Sequence, residues 1–110
     1  MTLHLTIVCA SGEAFPPGSQ LTVEIRDTSY ADAPAVLLQR AEKAVAKKGS
    51  TKSISVPIKL TSVPDGTTVW AHVDVDGDGR VSKGDFVSME SYPVTKTPSQ
   101  KTTIRVKKVT

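Results

Sequence analysis

Apolar and polar residues alternate along most of this chain, and a period of two predicts strands. Leu3, Leu5, Ile7 and Cys9 share one face against Thr2, His4 and Thr6, which places a strand over 2–10. Leu21, Val23 and Ile25 repeat the pattern against Thr22, Glu24 and Arg26. Ile54, Val56, Ile58 and Leu60 alternate with Ser53, Ser55, Pro57 and Lys59 over 53–60. Pro57 has no N–H to give to a ladder, so this strand belongs at a sheet edge. Thr67, Val69, Ala71 and Val73 oppose Thr68, Trp70 and His72 in another strand, and residues 86–90 and 103–109 supply two more.

Turn chemistry separates these segments. Pro16-Pro17-Gly18 and Pro64-Asp65-Gly66 interrupt the alternation, because proline lacks a donor and glycine tolerates turn dihedrals. Residues 28–35 read as a loop in which Asp32 accepts backbone donors ahead of Pro34. Residues 35–48 are ambiguous. Their helix formers and apolar spacing slightly favour a helix, whereas Val36, Leu38, Ala44 and Ala46 also permit a strand.

Six or seven short strands predict an all-β domain over 1–110, a small Greek-key β-sandwich of about seven strands. A single sheet covered by the 35–48 helix is the alternative. Composition agrees: of 110 residues, 14 are Val and 13 are Thr, side chains that pack well on a pleated sheet. One domain is all that this length supports comfortably.

A formal charge of +3 does not by itself imply a nucleic-acid partner. Lysines gather at 43, 47, 48 and 52, and a second basic group holds Lys101, Arg105, Lys107 and Lys108. Tyr30, Trp70 and Tyr92 form no RNA-binding motif beside them, so no specific nucleic acid is expected. Cys9 is the sole cysteine, which excludes an intramolecular disulfide and a thiolate zinc cluster within one chain. Cys9 is expected as an apolar strand residue, and His4 and His72 as surface strand residues. No apolar run is long enough to span a membrane, and the first ten residues lack the pattern of a signal peptide. The expectation is a cytoplasmic chain, or a periplasmic or lipid-anchored one if a targeting segment has been removed.

The sharpest local signal is the twelve-residue stretch 74–85. Asp74, Asp76, Asp78 and Asp85 fall at its first, third, fifth and twelfth positions, with Gly79 at the sixth and Ser82 at the ninth. This is the register of a calcium loop. Calcium takes several oxygen ligands, and alternate acidic residues can turn their oxygens toward one centre. Gly79 permits the reversal that brings the second half back, and a hard cation relieves the mutual repulsion of the carboxylates. The candidate ligands are Asp74, Asp76, Asp78, the carbonyl of Arg80, Ser82 and Asp85. Val81 is expected to pin the loop to the apolar body. The flanks read as strands rather than helices, and Asp85 is shorter than the usual glutamate. Asp at that position resembles the calcium loops of dockerin repeats. The plain alternative is a solvated acidic hairpin turn without metal.

A wider resemblance runs from residue 3 to 95. Residues 15–29, with Phe15-Pro16-Pro17-Gly18 and Leu21-Thr22-Val23, then Asp32-Ala33-Pro34, Val56-Pro57-Ile58 and Tyr92-Pro93-Val94 together resemble the YbaY-like lipoprotein family, related to the YscW chaperone or pilotin proteins of type III secretion. The resemblance implies a small β-sandwich, makes residues 36–46 a strand, and brings no catalytic residues. It also implies assistance to an outer-membrane partner.

These readings converge on a non-enzymatic module that binds calcium through 74–85, with a structural or protein-interaction role. One alternative is a metal-independent chaperone or pilotin-like protein that holds a partner through an edge strand or groove. Another is a small metal-assisted hydrolase.

Overall fold

The computed structural model describes residues 1–29 and 35–110, and every regular element among them is a strand. In chain order these are β1 (Thr2–Cys9), β2 (Gln20–Asp27), β3 (Val36–Ala44), β4 (Ser53–Lys59), β5 (Thr67–Asp74), β6 (Phe86–Ser88), β7 (Tyr92–Pro93) and β8 (Ser99–Lys108). The expected local role of Asp32 lies outside the described residues.

Hydrogen bonds join the strands into one sheet in the order β3-β2-β5-β6-β8-β1-β4, with β7 also paired to β5. The β1–β8 ladder is parallel and the others are antiparallel. The seven-stranded path turns through 260° about one axis. The fold is therefore a nearly closed barrel, and the expected Greek-key β-sandwich is incorrect. Alternation along a strand could not distinguish them, because a sandwich and a barrel both bury every second side chain. What decides the matter is pairing. The three residues of β6 bond β5 on one side and β8 on the other, so the sheet never divides in two.

The predicted faces point inward as the sequence requires. Leu3, Leu5 and Ile7 join Leu21, Val23, Ile25, Ile104 and Val106 in one apolar cluster, all almost fully buried. Phe15, in the β1–β2 connection, packs edge-on against Phe86 with ring centroids 5.2 Å apart. Its N–H donates to the Thr51 carbonyl at 2.7 Å, which ties the β1–β2 connection to the segment leading into β4.

Residues 36–44 form a strand, not the helix that their composition slightly favours. The β2 edge offers eight paired positions, and that ladder outweighs a small difference in propensity. A register shift between Ile25 and Arg26 leaves Leu38 without a paired position. Pro57 lies on β4, one of the two sheet edges, as the sequence predicts. The other edge is β3.

Candidate functional site

The sheet leaves a seam between its first and last strands. One face of β3 continues the barrel interior, since Ala41 pairs with Val23 and Lys43 with Leu21. Opposite it, Ile54, Val56 and Ile58 of β4 point into the core. Among the described residues no backbone ladder closes the gap; the side chain of Lys43 crosses it and donates to the Ser55 carbonyl at 2.7 Å. A cavity of about 300 Å³ lies at this end of the seam, lined by residues 43–46 and by Thr51, Ser53, Ile54 and Ser55.

At the opposite end of β3, Val36, Leu37 and Leu38 are 49%, 52% and 39% exposed. Val36 pairs with Asp27 and Leu37 with Arg26, so the two side chains lie on opposite faces and what they share is the strand edge, a position that soluble proteins usually cover or charge. The sequence suggests an edge strand or groove in general terms and does not point to this place. The signal, Val36-Leu37-Leu38 followed by Arg40, was masked by the helical composition of 35–48.

The acidic loop connects β5 to β6. Asp74 and Asp85 are buried, while Asp76 and Asp78 are exposed. Oxygens from all four come within 4.8 Å of one another, so they can address a single ion. Ser82 joins them, its hydroxyl donating to Asp76 Oδ2 at 3.1 Å and to Asp85 Oδ2 at 3.3 Å. Arg80 contributes its N–H, which donates to Asp78 Oδ1 at 2.9 Å. Gly79 adopts a φ of 76°, and its N–H donates to Asp74 Oδ2 at 2.7 Å. Gly77 N–H donates to the other Asp74 oxygen at 3.0 Å. Backbone donors thus offset much of the crowding of charge without any cation.

Asp85 organises the loop. Its Oδ1 accepts the Val75 N–H at 2.9 Å, and its Oδ2 accepts the Ser82 N–H at 3.1 Å and faces His72 Nε2 at 2.9 Å. Burial pushes this carboxyl up, but bonds from Val75, His72 and Ser82 outweigh it and leave the group below the usual carboxylate range. Asp76 is held low chiefly by a hydrogen bond shared with Asp74, against the opposing effect of burial.

Two local expectations need correction. His72 is buried rather than on the surface, 4% exposed, and joins Asp74 and Asp85 in a second cluster of possible metal ligands. The period of two already put residues 72 and 74 on one face; their burial depended on the unforeseen pairing of His72 with Val87 of β6. Val81 is 47% exposed and does not pin the loop, whereas half-buried Val75 packs against the core. His4 is exposed, and Cys9 is buried with its Sγ 3.2 Å from Ser11 Oγ, both as expected.

The structure is thus a nearly closed barrel with one open seam and an apolar edge strand. The chain belongs to the family described as type III secretion system lipoprotein chaperone (YscW), whose model matches residues 2–106. No curated protein matches it. Among solved structures it is similar to an alternative pilotin from the type II secretion system of Vibrio cholerae, with a TM-score of 0.73 and 19% identity over 100% of this chain and 97% of that one.

Family membership makes the role non-enzymatic and chaperone-like, which sets aside the hydrolase and replaces ion binding as the leading reading. It also overturns the cytoplasmic expectation, since the family is one of lipoprotein chaperones. The YbaY-like and dockerin refinements gain no support from these matches, and neither does calcium binding as a defining property.

Proposed function

We propose that this protein is a pilotin-like chaperone that holds a segment of an outer-membrane secretion protein in the seam between β3 and β4. The observation that carries this reading is the exposed Val36-Leu37-Leu38 at the unsealed edge of an otherwise well-buried barrel. Covering these side chains removes apolar surface from water at about 25 cal/mol per Å². Leaving the edge exposed in the absence of a partner invites aggregation, a hazard consistent with a surface kept for binding.

A peptide scan across the outer-membrane secretion proteins of the source genome tests the proposal. Locking the seam with a bismaleimide between Lys43→Cys and Ser55→Cys, in a Cys9→Ala background, is expected to abolish binding of the tightest peptide. Replacing Val36, Leu37 and Leu38 together by serine is expected to weaken it while the melting temperature holds. Undiminished binding to both proteins would remove the seam from the account.

A second reading concerns the loop and rests on its carboxylates lying within 4.8 Å of one another. In it Asp74, Asp76, Asp78 and Asp85, with Ser82 and the Arg80 carbonyl, hold a divalent cation, calcium by the register of the loop. The ion orders the β5–β6 connection and leaves the seam as the functional site. At a hundredfold excess over Kd, calcium stabilises the fold by about 2.7 kcal/mol. Calorimetry and thermal unfolding of the chelated protein are expected to show a heat and a raised melting temperature. Both should be lost in Asp74→Ala and Asp78→Ala and kept in Lys83→Ala; silence at millimolar calcium contradicts the reading.

A further inference from the structure

Two edges border the seam, and they differ in what they can accept. β4 carries Pro57, which has no N–H, and Lys59 near its end. β3 runs nine residues without a proline. Alternate residues of an edge strand turn their N–H and C=O groups away from their single neighbour. β3 therefore offers a regular row of backbone donors and acceptors over 39–44, broken at the Leu38 irregularity, and β4 a row interrupted in its middle by Pro57.

Charge says what fits there. From Lys43 to Pro64 the chain has five lysines, at 43, 47, 48, 52 and 59, and no acidic residue. All five are exposed. On β3 itself, Glu42 is paired with Arg40 at 3.0 Å, so it does not offset this excess. The seam is apolar at the Val36 end of β3 and basic toward the β3–β4 connection, where four of these lysines lie; Lys59 is at the far end of β4.

We infer that β3 accepts an extended, acidic segment of the partner as an added strand, its apolar end against Val36–Leu38 and its acidic end against the lysines of 43–52. The inference rests on the seam reading and deepens it by naming the form and charge of the occupant. Strand addition gives affinity through main-chain hydrogen bonds and specificity through alternate side chains. As the segment enters, Lys43 exchanges the Ser55 carbonyl for a carboxylate, a stronger charge-assisted partner.

The probe is a blocked peptide as long as β3, alternating valine with threonine in one half and valine with glutamate in the other. Binding is read by fluorescence anisotropy and by amide exchange. The expected result is binding that weakens with added salt and slower exchange over 36–44. Methylating one alternate set of peptide nitrogens should weaken binding about tenfold or more, through several lost hydrogen bonds, and the other set much less. A lysine-for-glutamate peptide, or Lys47→Glu with Lys48→Glu and Lys52→Glu, should also lose about tenfold, reading the charge independently of the backbone. If the locked seam blocks the peptide but methylation of either set has no effect, or the bound peptide is helical, the strand inference fails while the seam reading stands. Binding that survives the lock overturns both. Failure of the acidic peptide to bind overturns the inference, as does protection of 36–44 that grows with protein concentration alone, which would make a second copy the occupant.

Discussion

Replacing Phe15 by alanine is expected to destabilise the protein by about 3–5 kcal/mol. Phe15 is 1% exposed although it lies in a connection rather than a named strand. Its loss leaves a cavity and removes the edge-to-face contact with Phe86, an arrangement worth about 0.5–1.5 kcal/mol beyond the area buried. The site cannot collapse easily, because the Phe15 backbone is tied to Thr51 and Phe86 is itself held in β6. Small domains have total stabilities of about 5–15 kcal/mol, so the variant sits near the limit of folding. Urea unfolding measures the loss. Met89→Ala is the control, since Met89 is 67% exposed and should change stability by less than about 0.5 kcal/mol. A Phe15→Ala loss below about 1 kcal/mol would show that Phe15 is not packed into the barrel core as described.

Asp85→Ala is expected to cost a similar amount, about 3–5 kcal/mol, in the presence of chelator. The carboxylate is 1% exposed and accepts from two backbone N–H groups as well as from Ser82 and the His72 ring. Removing it strands several buried donors at once. Asp78 belongs to the same acidic cluster but is exposed, and its replacement by alanine should cost less than about 1 kcal/mol without metal. Equal losses in the two variants would contradict the view that Asp85 shapes the loop before any cation arrives. The contrast also separates the loop's structural chemistry from its proposed ion binding, which chelator removes from the comparison.

Much of the sheet could be read from the chain. Leu3, Leu5 and Ile7, or Val69, Ala71 and Val73, show their buried face through alternation alone, and Pro57 marks an edge through its missing donor. Closure could not be read the same way. The parallel pairing of β1 with β8 and the double pairing of three-residue β6 are long-range choices, with no local signature in Ser99–Lys108 or Phe86–Ser88. The acidic loop was legible because its spacing is local, yet the place of His72 within it required knowing which strand lay beside β5. The seam was the least legible feature. Helix-forming residues disguised β3, and an apolar triplet becomes informative only once a strand is known to have one neighbour.

Under the proposed function the partner docks in the open β3–β4 seam. Hydrogen exchange across the whole chain, with and without the tightest peptide from the secretion-protein scan, tests it most directly. Slowed exchange is expected over Val36–Ala44 and at the facing strand Ser53–Lys59, with the 74–85 loop unchanged. Protection confined to that loop, or to the outer face of β8, with β3 exchanging as before, would contradict it.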